Sequence, residues 1–104
     1  MRAPFLLIPI LMICPLASAD ESIEICDSYA GVAEAAMEQR QRNTELTEVM
    51  KAAGYEYGQP LDFVQQIVID AYEQPRFNTA ANQAKAVSEF RRRVEVACYR
   101  SQIQ

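Results

Sequence analysis

The 104-residue chain has few residues able to do chemistry, and one type is missing altogether. There is no histidine, which removes the commonest general base near neutral pH and the commonest zinc ligand. A serine or cysteine nucleophile activated by histidine is therefore excluded. The three cysteines, Cys14, Cys26 and Cys98, do not have metal-ligand spacing. No glycine-rich phosphate cradle exists either, since glycine occurs only at positions 31, 54 and 58. Asp70 and Glu73, with Asp62 upstream, would be neighbours on a helix. Two such carboxylates are the starting point for acid–base work on a sugar, but acidic pairs are equally ordinary on solvated helix faces. The reading is of a non-enzymatic protein with no cofactor and no metal.

Two stretches invite a binding reading instead. The first is YEYGQP, residues 55 to 60. Tyrosines on a loop either fold back over a small core or stand out as interface anchors, because they combine large area with a polar tip. Tyr55 and Tyr57 are candidate partner-binding residues on the second alternative. The other stretch is FRRRVEVACYR, residues 90 to 100. Consecutive arginines on a helix point about 100° apart, which argues against one patch. With Glu89 and Glu95 beside them, a solvated face laced by ion pairs is expected, Glu89 to Arg92 or Arg93 and Arg92 to Glu95. The functional alternative is a local basic spot of Arg92 and Arg93, joined by Arg40 or Arg42 if the first helix packs nearby.

The N-terminus decides which of these residues belong to the folded chain. One basic residue, Arg2, precedes an uncharged apolar run from Ala3 to Ala17 that Pro4, Pro9 and Pro15 interrupt. A membrane-spanning helix needs roughly 20 apolar residues. The run is too short for that and fits a secretory signal, with a small-x-small site at Ala17-Ser18-Ala19. Residues 1–19 are read as the signal and 20–104 as a single domain, with no stable membrane insertion after cleavage. Bulky residues precede Cys14, so it is read as part of the signal core rather than as a lipidated cysteine. That leaves Cys26 and Cys98, and an exported chain with two cysteines reads as one disulfide. Localisation is periplasmic or secreted.

Residues 20–104 hold all 14 acidic residues and nine basic ones, a net charge of −5. Net acidity argues against nucleic acid, whose phosphates supply most of the affinity through cationic contacts, and against an anionic membrane surface.

The elements that position the candidates all show helical periodicity, and no stretch alternates as a strand does. The first helix is expected from about Ser22 to Arg42, stopping at Asn43. A short second helix runs from about Glu45 to Ala53, capped by Thr44 and ended by Gly54, with Leu46, Val49, Met50 and Ala53 buried. The third follows Pro60, a residue that suits a first helical position, and runs to about Glu73, burying Leu61, Val64, Ile67, Val68, Ala71 and Tyr72. The fourth is capped by Asn78 or Thr79 and reaches about Arg100, with Ala80, Ala84, Val87, Phe90 or Arg91, Val94, and Ala97 or Cys98 inward. Short connections favour antiparallel neighbours. The fold class is all-α, a small antiparallel bundle of three to four helices stapled by one disulfide.

Three stretches in this order, MEQRQ at 37–41, AYEQPR at 71–76 and FRRRVEVACYR at 90–100, resemble a group of short exported bacterial and prophage-associated proteins of no established activity. That group shares a signal peptide and a cysteine near each end of the mature chain. It carries a glycine soon after the RQ where this chain has Asn43, and both suit a helix end. The resemblance implies export and one whole-chain domain, and it transfers no catalytic residue. Two functions are expected from different classes. The first is a small envelope protein that binds another envelope protein as a binding or accessory module. The alternative is a periplasmic stress chaperone that opens in acid.

Overall fold

The computed structural model describes residues 19–102. The apolar run through residue 18, with its signal reading and Cys14, lies outside them. Four helices occur in order, α1 (Ala19–Gln41), α2 (Leu46–Ala52), α3 (Phe63–Tyr72) and α4 (Ala80–Gln102), and there is no strand among the described residues.

Helix α1 is the axis. It buries Cys26, Ala30, Ala33, Ala36, Met37 and Gln41, a stripe with helical spacing and mostly small side chains, so neighbours approach closely. Asp20 and Glu21 in its first turn and Arg40 in its last complement the helix dipole. It stops where Asn43 turns left-handed, φ 66°. The Thr44 amide donates to the Gln39 carbonyl and the Asn43 amide to that of Arg40, both at 3.0 Å, which satisfies two orphan carbonyls. The same device ends α2 at Gly54, φ 82°, where the Tyr55 amide reaches the Met50 carbonyl and the Gly54 amide that of Lys51. Both stops fall where the sequence places them.

The starts differ. Thr44 does not cap α2, because its hydroxyl donates to the Gln39 side-chain oxygen at 2.7 Å; Glu45 occupies the cap position without a side-chain bond. Pro60 lies ahead of α3 rather than in it. Asp62 is the cap, accepting from the Gln65 amide at 2.7 Å while Gln65 Oε1 accepts from the Asp62 amide at 3.1 Å. This reciprocal pair satisfies the amides of Asp62 and Gln65, two donors that a proline at the first position would leave without partners. Thr79 caps α4, as expected, accepting from the Asn82 amide at 3.1 Å.

The chain runs up and down, so α4 is antiparallel to α1. The disulfide joins Cys26 near the start of α1 to Cys98 near the end of α4, with Cα atoms 5.5 Å apart. Both cysteines are buried. Arg91 reaches from α4 to Glu34 at 2.6 Å and to Asp27 at 3.2 Å on α1. Helix α3 also lies along α1, with Phe63 edge-on to Tyr29 at 4.6 Å between centroids. The core is Ala33, Ala36, Met37, Met50, Ile67, Val68, Ala71, Ala86 and Phe90, with further partly buried neighbours.

Three expected stripes are too wide. Only Ala86, Phe90 and Cys98 of α4 are buried, and Ala80, Ala84 and Ala97 are exposed. Helix α4 packs chiefly against α1 and has little contact with α3, so a narrow line suffices. Leu46 and Leu61, expected inward, are 38% and 39% exposed, because α2 is short and the helix begins only after Leu61.

Candidate functional site

The loop between α2 and α3 is built by its glycines. After the stop at Gly54, the Gln59 amide donates to the Glu56 carbonyl at 3.1 Å. That bond closes a turn over residues 56–59 with Gly58 third, and its φ of 88° is one that glycine adopts without strain. Tyr57 is therefore the second turn residue, at the outer tip, and it is 95% exposed. The loop's two ends are tied together by Gln65, which is buried and donates through Nε2 to the Ala53 carbonyl at 3.1 Å.

Below the tip lies a groove of about 640 Å³ whose apolar lining includes Leu46 and Met50 of α2, Tyr55, Tyr57 and Leu61 of the loop, and Ile69 of α3. Leu46, Tyr55 and Leu61 are each more than a third exposed. Of the two alternatives for the tyrosines, neither Tyr55 nor Tyr57 is among the residues packed on the core. They stand beside a groove instead.

Arg92 and Arg93 are elsewhere, and they share no groove with the tyrosines. Together with Val96 and Arg100 they line a shallow depression of about 560 Å³ on α4. Their 100° spacing thus does not keep them apart, since long side chains lean over the same surface. Arg93 is also used internally. Its Nη2 donates to Gln74 Oε1 at 3.2 Å, and its guanidinium lies 5.3 Å from the Phe90 ring centre. The expected ion pairs of Glu89 and Glu95 with these arginines do not form; Glu89 faces Lys85 at 4.0 Å. Asp70 and Glu73 are both exposed. Among the described residues no cluster of three or more metal-ligating side chains occurs, and no helix is long and apolar enough to cross a membrane.

One constellation escaped the sequence reading. Gln41 is 4% exposed, and both ends of its side-chain amide are bonded. Nε2 donates to the Pro75 carbonyl and Oε1 accepts from the Phe77 amide, both at 2.9 Å. Arg76 donates to the Gln41 carbonyl at 3.0 Å, and Arg40 donates to the Gln74 carbonyl at 2.9 Å. The Tyr72 hydroxyl donates to the Thr44 carbonyl at 2.7 Å. Half-burial pushes the Tyr72 phenol above its ordinary value of 10.0, while Arg40 pulls it down and Glu45 and Glu48 push it up. The short stretches MEQRQ and AYEQPR thus meet at one clamp that fastens the α3–α4 connection to the end of α1. Arg40, foreseen as part of a basic spot, belongs to this clamp.

Compared with protein-family models, with curated proteins and with solved structures, the chain matches none.

Proposed function

We propose that this is a small, exported, non-enzymatic protein of the cell envelope that binds another envelope protein. The supporting observation is the groove beside a tyrosine held almost wholly in solvent by a glycine turn. A lone exposed side chain needs no explanation, but an aromatic at a loop tip above an apolar groove offers the buried anchor that protein interfaces concentrate their energy on. The buried disulfide supports export, because such bonds persist in oxidising compartments. The landmark residues Arg40, Gln41, Gln74 and Arg76 are absorbed by the clamp, so they do not mark a separate binding surface.

Mild crosslinking in the intact envelope, followed by comparison with the Tyr55→Ala, Tyr57→Ala double variant, tests this. The expected result is one stoichiometric partner that the double variant loses by about tenfold or more. Its melting temperature should stay within about 3 °C of the parent. A large fall in stability would return the tyrosines to the core and remove the reading.

A second reading, the acid-opened chaperone, draws on Arg91. The ion pairs it makes across α1 and α4 use Glu34 and Asp27, both carboxylates that acid neutralises.

A further inference from the structure

Charge is distributed unevenly over the helices. Helix α1 carries six carboxylates against Arg40 alone, and residues 42–79 carry six against Arg42, Lys51 and Arg76. Helix α4 is cationic, with Lys85, Arg91, Arg92, Arg93 and Arg100 against Glu89 and Glu95, a net +3 within a domain of net −5. Only part of that charge is used by the fold. Arg91 is held by Glu34 and Asp27 of α1, and Arg93 donates to the uncharged side chain of Gln74. Arg92 and Arg100 are exposed and form no ion pair among the described residues. All three free or half-used arginines, Arg92, Arg93 and Arg100, line the same depression of about 560 Å³. Val96, 43% exposed, lies one helical turn from both Arg92 and Arg100 and forms its apolar centre with Ala97. The one carboxylate in the lining is Glu89, and it faces Lys85.

We propose that this face of α4 docks an acidic segment of another envelope protein, in which carboxylates flank an aliphatic side chain. The aliphatic group covers Val96 and Ala97, and the carboxylates meet Arg92 and Arg100, which stand about 12 Å apart along the helix. A guanidinium offers a carboxylate two parallel hydrogen bonds, so arginines at these positions give geometry as well as charge. Complementary charge speeds encounter and sets partner choice. An anionic membrane fits less well, because a domain of net −5 is repelled by it as a whole. The depression shares no lining residue with the tyrosine groove, so either surface can be lost without the other.

The test uses the disulfide-bonded protein, amide NMR mapping and three probe peptides of equal length, a central leucine flanked by glutamates, by glutamines or by lysines. The glutamate peptide is expected to shift the amides of Glu89, Arg92, Arg93, Val96, Ala97 and Arg100. Arg92→Gln with Arg100→Gln should weaken it about tenfold, the loss of two partly solvated ion pairs. Its melting temperature should stay within about 3 °C of the parent, since neither arginine is bonded within the fold. Arg42→Gln with Lys51→Gln removes the same charge elsewhere and should weaken the peptide by less than about twofold. An equal loss in both double variants, or shifts scattered over the other helices, would mean general attraction to cations and overturn the proposal. Equal binding of the glutamine peptide would overturn the acidic preference. A peptide that does not bind, while phosphatidylglycerol vesicles shift the same amides, would replace the protein partner by a membrane. Self-association of the parent that Arg92→Gln with Arg100→Gln abolishes would replace it by a second copy. No binding of peptide or vesicle, or a large fall in stability of the arginine variant, would remove the surface altogether.

Discussion

Gln41 carries more of this fold than its residue type would suggest. A buried polar side chain costs free energy unless its donors and acceptors are met, and both ends of this amide are met by the backbone of the α3–α4 connection. Gln41→Ala should destabilise by about 2 kcal/mol, from two lost hydrogen bonds whose backbone partners then turn to solvent. Gln41→Met, which keeps the volume, should lose nearly as much in urea unfolding; a neutral result would assign Gln41 to packing alone. Tyr72 works beside it. The fold favours its neutral phenol, so its contribution is complete below the unfolded value of 10.0 and is lost as pH rises through the raised folded one. Stability should therefore fall above pH 10 more steeply in the parent than in Tyr72→Phe. The variant should pay for this at neutral pH with about 1 kcal/mol, the hydroxyl's bond to Thr44. Neither residue announces its role in the sequence, because Gln41 finds its partners 34 and 36 residues away and Tyr72 finds its partner 28 residues away.

At the scale of elements, the ends of helices were legible and their beginnings less so. Asn43 and Gly54 are stops for a local reason, the left-handed backbone that asparagine and glycine tolerate, and nothing distant can change it. A start is a competition among neighbours. Before α3 the sequence offers a proline, which fits a first turn, and two residues later an aspartate with glutamine at the capping-box distance. The reciprocal bonds of Asp62 and Gln65 win, and Gln65 is held in place besides by its bond to Ala53. Asp62→Ala should therefore cost about 1 kcal/mol or more and fray α3 first. Amide exchange should show this as faster exchange at Val64, Gln65 and Gln66, with α1 and α4 unchanged. Uniform acceleration across all helices would mean that α3 has no independent end to fray. The burial of α4 was overestimated for a related reason. Periodicity marks every position that faces a potential neighbour, and the backbone of α4 lies close chiefly to α1, with α3 reached mainly through Phe90 and Arg93. The tyrosine loop was legible as a loop from its glycines and proline, but whether its rings point in or out depends on the turn that sets Tyr57 at the tip.

The whole molecule is a stapled hairpin, α1 with α4, carrying an acidic pair, α2 with α3. The staple closes a loop of 72 residues and on the chain-entropy account contributes about 4 kcal/mol, a large share for a domain of this size. Its position also decides how acid would act. At pH 2 the carboxylates are neutral and nine cations remain in residues 20–104. Arg91 then loses Glu34 and Asp27, while Arg40 and Arg76 are left together at the clamp, the end remote from the disulfide. Self-repulsion should open the hairpin from that end, with the staple as its hinge. The oxidised protein at pH 2 should keep most of its far-ultraviolet helix signal and bind a hydrophobic dye through the uncovered face of Met37, Ile67 and Phe90. The Cys26→Ser, Cys98→Ser variant, with no hinge, should lose the helix signal as well. If the oxidised protein instead binds no dye in acid and leaves aggregating clients unprotected, the chaperone reading fails. The aromatic groove is then the function-bearing surface to pursue.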